Sequence, residues 1–238
     1  ELEQTFEFPE EQENNTNLID IIVDYGKEMK PSTNRRPAQV LIQITGLLRN
    51  LCVHKKHRDQ FWAAKSVTGL MKIMDKPFMD ATELQLNVVR VLSKLTLFEK
   101  ARTEFNHNNK NYFEKMLCCL DKYKDVPTYV IRSCFILGNL TTSNELNRLL
   151  LIPHFNIVET VLGVYSKKFL HVFSNDGVSC ESKLSEENNV DTKMKVTKED
   201  TTLIDVLIKC IRVVANLSVN HEVGQKLAQC DIMIDSLQ

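Results

Sequence analysis

Side chains that could hold a metal ion occur close together in the segment CVHKKHRDQ. Cys52, His54, His57 and Asp59 lie within eight consecutive residues. Thiolate, imidazole and carboxylate are the ligands that Zn²⁺ prefers, but this spacing matches no familiar zinc pattern. Cys52 also directly follows a leucine expected in the core, so its thiol should not converge with the two histidines. The sequence therefore favours a solvated turn between helices, and we expect neither a metal site nor a cofactor.

Motifs for catalysis are absent from the sequence. It contains no glycine loop that could cradle a phosphate, no G-x-S-x-G elbow and no HExxH pair, and the other histidines are scattered. The basic run from Lys55 to Arg58 could contact phosphates, but a solvated surface explains it more simply. We therefore predict that the chain is not an enzyme and has no catalytic residue.

Composition favours helices joined by short turns. The 238 residues include only 7 glycines and 6 prolines. With 30 basic and 31 acidic residues the formal net charge is -1, which gives no support for binding nucleic acid or membrane through overall charge. No apolar run approaches the roughly 18–20 residues of a membrane helix. The seven cysteines include no Cys-x-x-Cys pair, which indicates a reducing, cytoplasmic environment.

Four segments of the chain resemble one another: ITGLLRNLCV, VVRVLSKLTL, SCFILGNLTT and CIRVVANLSV. When they are aligned on Leu51, Leu95, Leu140 and Leu217, the gaps are 44, 45 and 77 residues. The third gap contains a polar stretch, and omitting about 33 of its residues restores the period. A constant spacing of this size is typical of solenoid proteins.

The repeat also predicts which side chains are buried. Positions seven, four and three before each anchor leucine, and ten after it, should be apolar, because offsets of 3, 4 and 7 share one helix face. Counting the anchors, 18 of these 20 positions are aliphatic or aromatic. Further helices are expected at about 18–29, 59–75, 102–122 and 144–165. Each unit then has two or three helices that must stack to bury their apolar faces.

Two segments do not fit the repeat. Residues 1–17 carry six glutamates and no basic residue, which is typical of a disordered acidic arm. The polar stretch at about 174–200 has few large apolar groups and is expected to be a disordered insertion, with a regulatory or docking role left open. The predicted repeat domain covers 18–238 and is a fragment of a longer solenoid.

The motifs LLRNLC, VLSKLT, ILGNLT and VVANLS resemble the third helix of an armadillo repeat. The resemblance covers about 38–165 and 201–238. It implies an all-α, right-handed superhelix, here of about four repeats, whose third helices line a concave groove for extended peptides or partner proteins. It also implies that the motif asparagines, Asn50, Asn139 and Asn216, bind the peptide backbone, with an interruption at Lys94. Family members that bind nuclear localisation signals carry tryptophan four residues before the asparagine; this sequence does not.

Helix geometry indicates what else the groove contains. If the Asn or Lys position faces the groove, so do the residues four and seven before it. Five of these twelve positions are basic and none is acidic. We therefore predict a groove for an extended acidic segment, although the charges could simply be solvated, or the acidic arm at 1–17 could occupy the groove itself. The predicted partner-binding residues are Asn50, Arg90, Lys94, Arg132, Phe135, Asn139, Lys209, Arg212 and Asn216.

The expected function is a scaffold or adaptor for protein partners, without nucleic acid or membrane. Within the armadillo family, the run GLLRNLCVHKKHRDQFW is similar to a member linked to axoneme assembly and radial-spoke transport, which implies a location in the cilium or flagellum and axonemal or ciliary transport proteins as partners. Two alternatives remain at this stage: a helical repeat that binds nucleic acid, and a regulatory module of a larger enzyme.

Overall fold

The computed structural model describes residues 36–54, 57–75, 78–176 and 197–229. Within these ranges every regular element is helical, which confirms the prediction of an all-α fold. The predicted acidic arm and the helix at 18–29 lie outside the described residues. The helices are α1 (Arg36–Leu51), α2 (Arg58–Ala63), α3 (Ser66–Ile73), α4 (Thr82–Leu95), α5 (Glu99–Asn106), α6 (Asn109–Lys122), α7 (Pro127–Thr141), α8 (Glu145–Leu151), α9 (Phe155–Asp176), α10 (Lys198–Ser218) and α11 (His221–Leu227), with 3-10 turns at Phe78–Asp80 and Ile152–His154.

The four helices that carry the repeated motif are α1, α4, α7 and α10, which we call the anchor helices. They pack side by side in chain order, α1 against α4, α4 against α7, and α7 against α10. On α4, α7 and α10 the buried apolar side chains recur at spacings of 3, 4 and 7 residues, which places them on one face. Among the described apolar side chains of α1 only Leu41 is fully buried, and Ile44 and Leu48 are partly buried against the core. The stacking of equivalent helices is the architecture of a solenoid, as the period of the sequence predicts.

The segments between the anchor helices contain two helices each, where the sequence predicts one. The first predicted helix is divided into α2 and α3 at Lys65, whose backbone φ of 46° is in the left-handed region. Next to this break, Ser66 Oγ donates a hydrogen bond of 2.9 Å to Phe61 O. The second break falls at His107 and Asn108, between α5 and α6. Each unit therefore consists of a short helix, a longer helix and an anchor helix.

The buried core follows the repeat positions closely. Val88, Val91 and Leu92 on α4 are fully buried, as are their counterparts on α7, and Val213 on α10. Leu47 is the exception, because 53% of its surface is exposed. Ile44, Leu48 and Leu51 of the same repeat are only partly buried against the core. Position 47 is apolar, as the repeat predicts, but its side chain is exposed.

Local sequence signals fix several helix ends. Pro127 occupies the first turn of α7, where its missing N–H has no cost. Thr197 and Asp200 form a capping box at the start of α10: Thr197 Oγ1 accepts from the Asp200 N–H, and Asp200 Oδ2 accepts from the Thr197 N–H. Helix α9 continues to Asp176, so both edges of the polar stretch predicted at 174–200 are helical. Residues 177–196 lie outside the described residues.

The segment Glu145–Val172 is a long apolar stretch that the sequence analysis missed. It comprises α8, the second 3-10 turn and most of α9, and its 28 residues are long and apolar enough to span a membrane. Val158, Val161, Leu162 and Tyr165 on α9 are nevertheless buried in the protein core, where α9 packs against α10 and α6. Only 33% of the most apolar window of this segment is buried, and Leu146 and Leu170 are exposed, so core packing accounts for part of its apolar character.

Candidate protein-binding face

The nine predicted partner-binding residues all lie on the four anchor helices. Contacts between neighbouring helices join them into one surface, which we call the ladder face: Arg49 and Asn50 on α1, Arg90 and Lys94 on α4, Arg132, Phe135 and Asn139 on α7, and Lys209, Arg212 and Asn216 on α10. The side-by-side packing of the anchor helices brings these side chains into a row. Arg49 is the one member that the sequence analysis did not predict.

Two of the three ladder asparagines connect neighbouring units. Asn139 is only 9% exposed, and its Nδ2 donates a 3.2 Å hydrogen bond to Thr96 Oγ1 at the end of α4. Asn216 Nδ2 donates to Gly138 O at 2.9 Å, and it also lies 3.2 Å from Thr142 Oγ1. These two amide nitrogens therefore connect α7 with α4 and α10 with α7. Asn50, by contrast, is exposed.

Lys94 makes the same kind of connection at the place where the asparagine series is interrupted. Its Nζ donates a 3.0 Å hydrogen bond to Arg49 O in the last turn of α1. The last carbonyls of a helix have no partner within that helix, and they carry a partial negative charge. A lysine can therefore replace the asparagine without loss of the contact between units.

Asn87 is a second residue that joins α1 and α4. It is 5% exposed, and its Nδ2 donates to Ile42 O at 3.3 Å. Its Oδ1 lies 3.5 Å from Nη1 of Arg49. The sequence predicts that Asn87 faces the groove. Because its side chain is buried, it instead contacts the guanidinium group of Arg49 from within the protein.

Phe135 lies beneath two cations of the next anchor helix. Lys209 Nζ is 5.7 Å and the guanidinium carbon of Arg212 is 5.8 Å from the centre of its ring. Both distances fall within the range of cation–π attraction. One turn further along α7, a Cβ at Gly138 would lie 3.8 Å from Arg212 Nε, an ordinary contact distance, which shows that Arg212 lies close to α7. Phe135 therefore positions the basic side chains of α10 over the ladder face.

Arg90 is surrounded by positive charge. Partial burial lowers its pKa below the usual arginine value, and the neighbouring guanidinium groups of Arg49 and Arg132 lower it further. These two residues come from the anchor helices on either side of α4. Arginine remains charged at neutral pH despite such a shift, so the ladder face holds three like charges close together.

The six cations of the ladder face have no acidic partner among the described residues. None of the ion pairs between described side chains involves Arg49, Arg90, Lys94, Arg132, Lys209 or Arg212. Four lysines elsewhere in the described ranges are paired with aspartates of the preceding unit. These bridges, which we call the seam pairs, are Lys100–Asp59, Lys115–Asp75, Lys122–Asp80 and Lys168–Asp125.

The segment with metal-ligand side chains does not form a converging group. Cys52 is 2% exposed, and its thiol donates to Arg49 O at 3.2 Å. The rings of His54 and His57 lie 6.1 Å apart, edge to face, and His57 Nδ1 lies 3.3 Å from Gln60 Oε1. No three His, Cys, Asp or Glu side chains of the described residues are placed to share a metal ion.

A cleft of about 740 Å³ lies away from the ladder face, between α2, α3 and α5. Trp62 and Tyr112 line it together with Glu104 and Lys100. Glu104 Oε1 accepts the Thr68 N–H at 2.8 Å, in the first turn of α3, and Lys100 belongs to a seam pair. These two charged groups already have partners within the protein, so the ladder face remains the better candidate site.

Comparison with known proteins supports the armadillo resemblance. The chain is 27% identical over 220 residues to armadillo repeat-containing protein 2 of Mus musculus, and 26% identical over 213 residues to the proteins of that name in Homo sapiens and Bos taurus. These alignments cover 90% or 89% of the chain but only 24% or 23% of the relatives, so the chain spans about a quarter of their length. No family model and no solved structure matches the chain. The helical architecture and these relatives together show that the chain is an all-α, armadillo-like solenoid.

Proposed function

We propose that this chain is a non-enzymatic adaptor whose ladder face binds an extended acidic segment of a partner protein. Armadillo repeat relatives suggest protein partners in general. One observation supports an acidic ligand. The six cations of the ladder face come from all four anchor helices, and none has an acidic partner among the described residues. A ligand that supplies the missing negative charge would gain both affinity and speed of association.

The ladder face suits an extended ligand because its contacts recur from one anchor helix to the next. An extended peptide advances about 3.3 Å per residue, so 9 residues span roughly 30 Å. Neighbouring packed helices are about 8–10 Å apart, and three such intervals cover a comparable length. One peptide of about this size can therefore contact cations on all four anchor helices at once.

We further propose that the partners are axonemal or ciliary transport proteins and that the chain acts in axoneme assembly or radial-spoke transport in the cilium or flagellum. The support is the similarity to armadillo repeat-containing protein 2 over nine-tenths of the chain. Affinity purification of the 238-residue chain from ciliated cells tests this part. Recovery of axonemal or transport proteins supports it, and their absence from the purified material contradicts it.

Charge reversal tests the acidic ligand directly. Arg90→Glu, Lys94→Glu and Arg212→Glu combined should weaken binding of a labelled decaglutamate peptide about 100-fold or more, because each reversal replaces attraction by repulsion. Fluorescence anisotropy measures the affinity, and circular dichroism checks that the helices remain. Unchanged affinity would contradict an acidic ligand.

The matched control reverses three lysines of the seam pairs, Lys100, Lys122 and Lys168, to glutamate. This variant has the same net charge as the ladder-face variant but changes a different surface. It should bind decaglutamate within about threefold of the unmodified chain, because exposed charges more than a Debye length away are screened. An equal loss in both variants would show that net charge alone determines binding.

A further inference from the structure

Three arginines of the ladder face come from three consecutive anchor helices. Arg49 lies in the last turn of α1, Arg90 in the middle of α4 and Arg132 in the second turn of α7. Because α1 packs against α4 and α4 against α7, Arg90 lies between the other two. Lys94, one turn from Arg90, contacts the backbone of Arg49, which ties the two helices together at this level.

The guanidinium groups of this cluster retain most of their hydrogen-bonding capacity. Arg49 makes one long contact, of 3.5 Å, between Nη1 and Asn87 Oδ1. No described residue accepts a side-chain hydrogen bond from Arg90 or Arg132. Each guanidinium carries five N–H donors in a rigid plane. The buried Arg148, by contrast, uses its guanidinium donors within the protein, because it donates to two backbone carbonyls and to Glu145.

A phosphate group fits several guanidinium groups on neighbouring packed helices better than a carboxylate does. A carboxylate has a single charge and two oxygens, which one guanidinium fork can satisfy. A phosphorylated side chain carries a charge of about -1.5 to -2 at neutral pH and three strongly accepting oxygens, so it can pair with several arginines. Lys209 and Arg212 on α10, at the end of the row, place only one guanidinium group beside Phe135.

We infer that Arg49, Arg90 and Arg132 form a binding site for a phosphorylated serine or threonine within the acidic segment that the ladder face receives. This inference rests on the proposed function. It adds that the partner is recognised most strongly after phosphorylation, with the phosphate placed over α4 and flanking acidic residues reaching towards Lys209 and Arg212 on α10.

Two synthetic peptides with the sequence EEEGSGEEE test this inference, one with free serine and one with phosphoserine. Binding to the 238-residue chain is measured by fluorescence anisotropy at constant salt. We expect the phosphopeptide to bind about 10- to 100-fold more tightly, since a phosphate can form several charge-assisted hydrogen bonds with arginine. Equal affinities would overturn the phosphate site and leave the acidic ligand intact, whereas binding of neither peptide would overturn both.

Arginine-to-lysine substitution separates hydrogen-bond geometry from charge. Arg49→Lys, Arg90→Lys and Arg132→Lys combined preserve the net charge but remove the planar forks. We expect the phosphopeptide advantage to fall to about threefold or less while the affinity for the free-serine peptide stays within about twofold. Retention of the full advantage would overturn the assignment of these three residues.

Arg212→Lys is the matched control, because it makes the same exchange on the ladder face outside the cluster. It should leave the ratio of the two affinities unchanged, and a comparable loss of the ratio would contradict the assignment. A single-stranded RNA nonamer tests the other source of phosphate. Tighter binding of this RNA than of the phosphopeptide, weakened by the same three lysine substitutions, would overturn a protein ligand in favour of nucleic acid.

Discussion

The ladder face and the seam pairs use positive charge in opposite ways. Lysines of the seams contact aspartates of the preceding unit, and the residues of each pair are 40 to 43 positions apart, close to the repeat period. Cations of the ladder face have no acidic partner among the described residues. The described seams therefore pair positive with negative side chains, whereas the ladder face presents positive charge alone.

This difference indicates what each region contributes. Exposed ion pairs add little stability individually, because solvent screens them and long side chains lose entropy when they pair. Their recurrence at the repeat period instead favours correct register between units. The cations without acidic partners oppose folding slightly through mutual repulsion, although Lys94 also connects α1 and α4 through its hydrogen bond to Arg49 O.

Arg148→Ala should destabilise the protein most among single changes of basic residues. Arg148 is 9% exposed, and it donates to the carbonyls of Thr141 and Thr142 at the end of α7, at 2.9 and 2.7 Å. Its loss leaves these carbonyls without their donor, which should cost about 2–3 kcal/mol of unfolding free energy. Urea denaturation followed by circular dichroism measures the change.

Arg132→Ala is the control for this substitution on the ladder face, and it should change the unfolding free energy by less than about 0.5 kcal/mol, as is usual for exposed residues. A large loss of stability in Arg132→Ala would show that the ladder face is structural and would weaken the contrast between the two regions.

Substitution of two ladder asparagines distinguishes a structural role from a surface role. Asn216→Ala removes the hydrogen bond to Gly138 O between α10 and α7, which should cost about 1–2 kcal/mol. Asn50→Ala changes an exposed residue and should cost less than about 0.5 kcal/mol. Thermal denaturation of both variants distinguishes them. Equal losses would mean that the asparagine series has one uniform structural role.

The seam pair Lys115–Asp75 should contribute modestly and depend on salt. The side chain of Lys115 is 20% exposed and that of Asp75 is 47% exposed. A double-mutant cycle with Lys115→Ala and Asp75→Ala should give a coupling of about 0.5–1 kcal/mol at low salt, decreasing in 1 M NaCl because salt screens exposed charges. A coupling of several kcal/mol would show that the seams contribute to stability as well as to register.

Adjacent cysteines on α6 report how tightly the helices pack. Cys118 is exposed, whereas Cys119 is buried, and burial raises the pKa of Cys119 to about 11, with a smaller effect from Cys118. Iodoacetamide reacts with thiolates, so at pH 8 it should modify Cys118 quickly and Cys119 only after denaturation. Mass spectrometry of the peptide that contains both residues measures the two rates. Equal rates in the folded protein would contradict close packing of α6.

The pKa of Cys119 also predicts the direction of a pH effect. Its value in the folded chain, about 11, lies above the ordinary value of 9.0. The folded state therefore holds this proton more strongly than the unfolded state, and the corresponding stability is present below pH 9 and is lost as the pH rises through 11. Denaturation between pH 8 and 11 should show stability falling with pH, and less so in Cys119→Ala.

Sequence and structure agree on the fold because the repeat is encoded locally. Apolar residues at spacings of 3, 4 and 7, scarce glycine and a period of 44–45 residues identified helices that must stack, and the anchor helices follow that pattern. The sequence did not predict the breaks at Lys65 and at His107–Asn108. Lys65 adopts a left-handed backbone conformation, but only glycine or asparagine at such a position would have indicated a turn from the sequence. The exposure of Leu47 could not be foreseen either, because it depends on what lies next to α1.

The helical repeat, the four anchor helices and the excess of basic residues on one side of them could be predicted from the amino-acid sequence. The contacts between units are visible only in the folded chain: Asn139 and Asn216 use their amide nitrogens between units, the charges of Arg49 and Arg132 act on Arg90, and the ladder cations have no ion-pair partner among the described residues. The reason is physical: helix periodicity is a property of residues close in the chain, whereas hydrogen bonds and charge pairs between units depend on side chains about 40 residues apart that meet only after the helices pack.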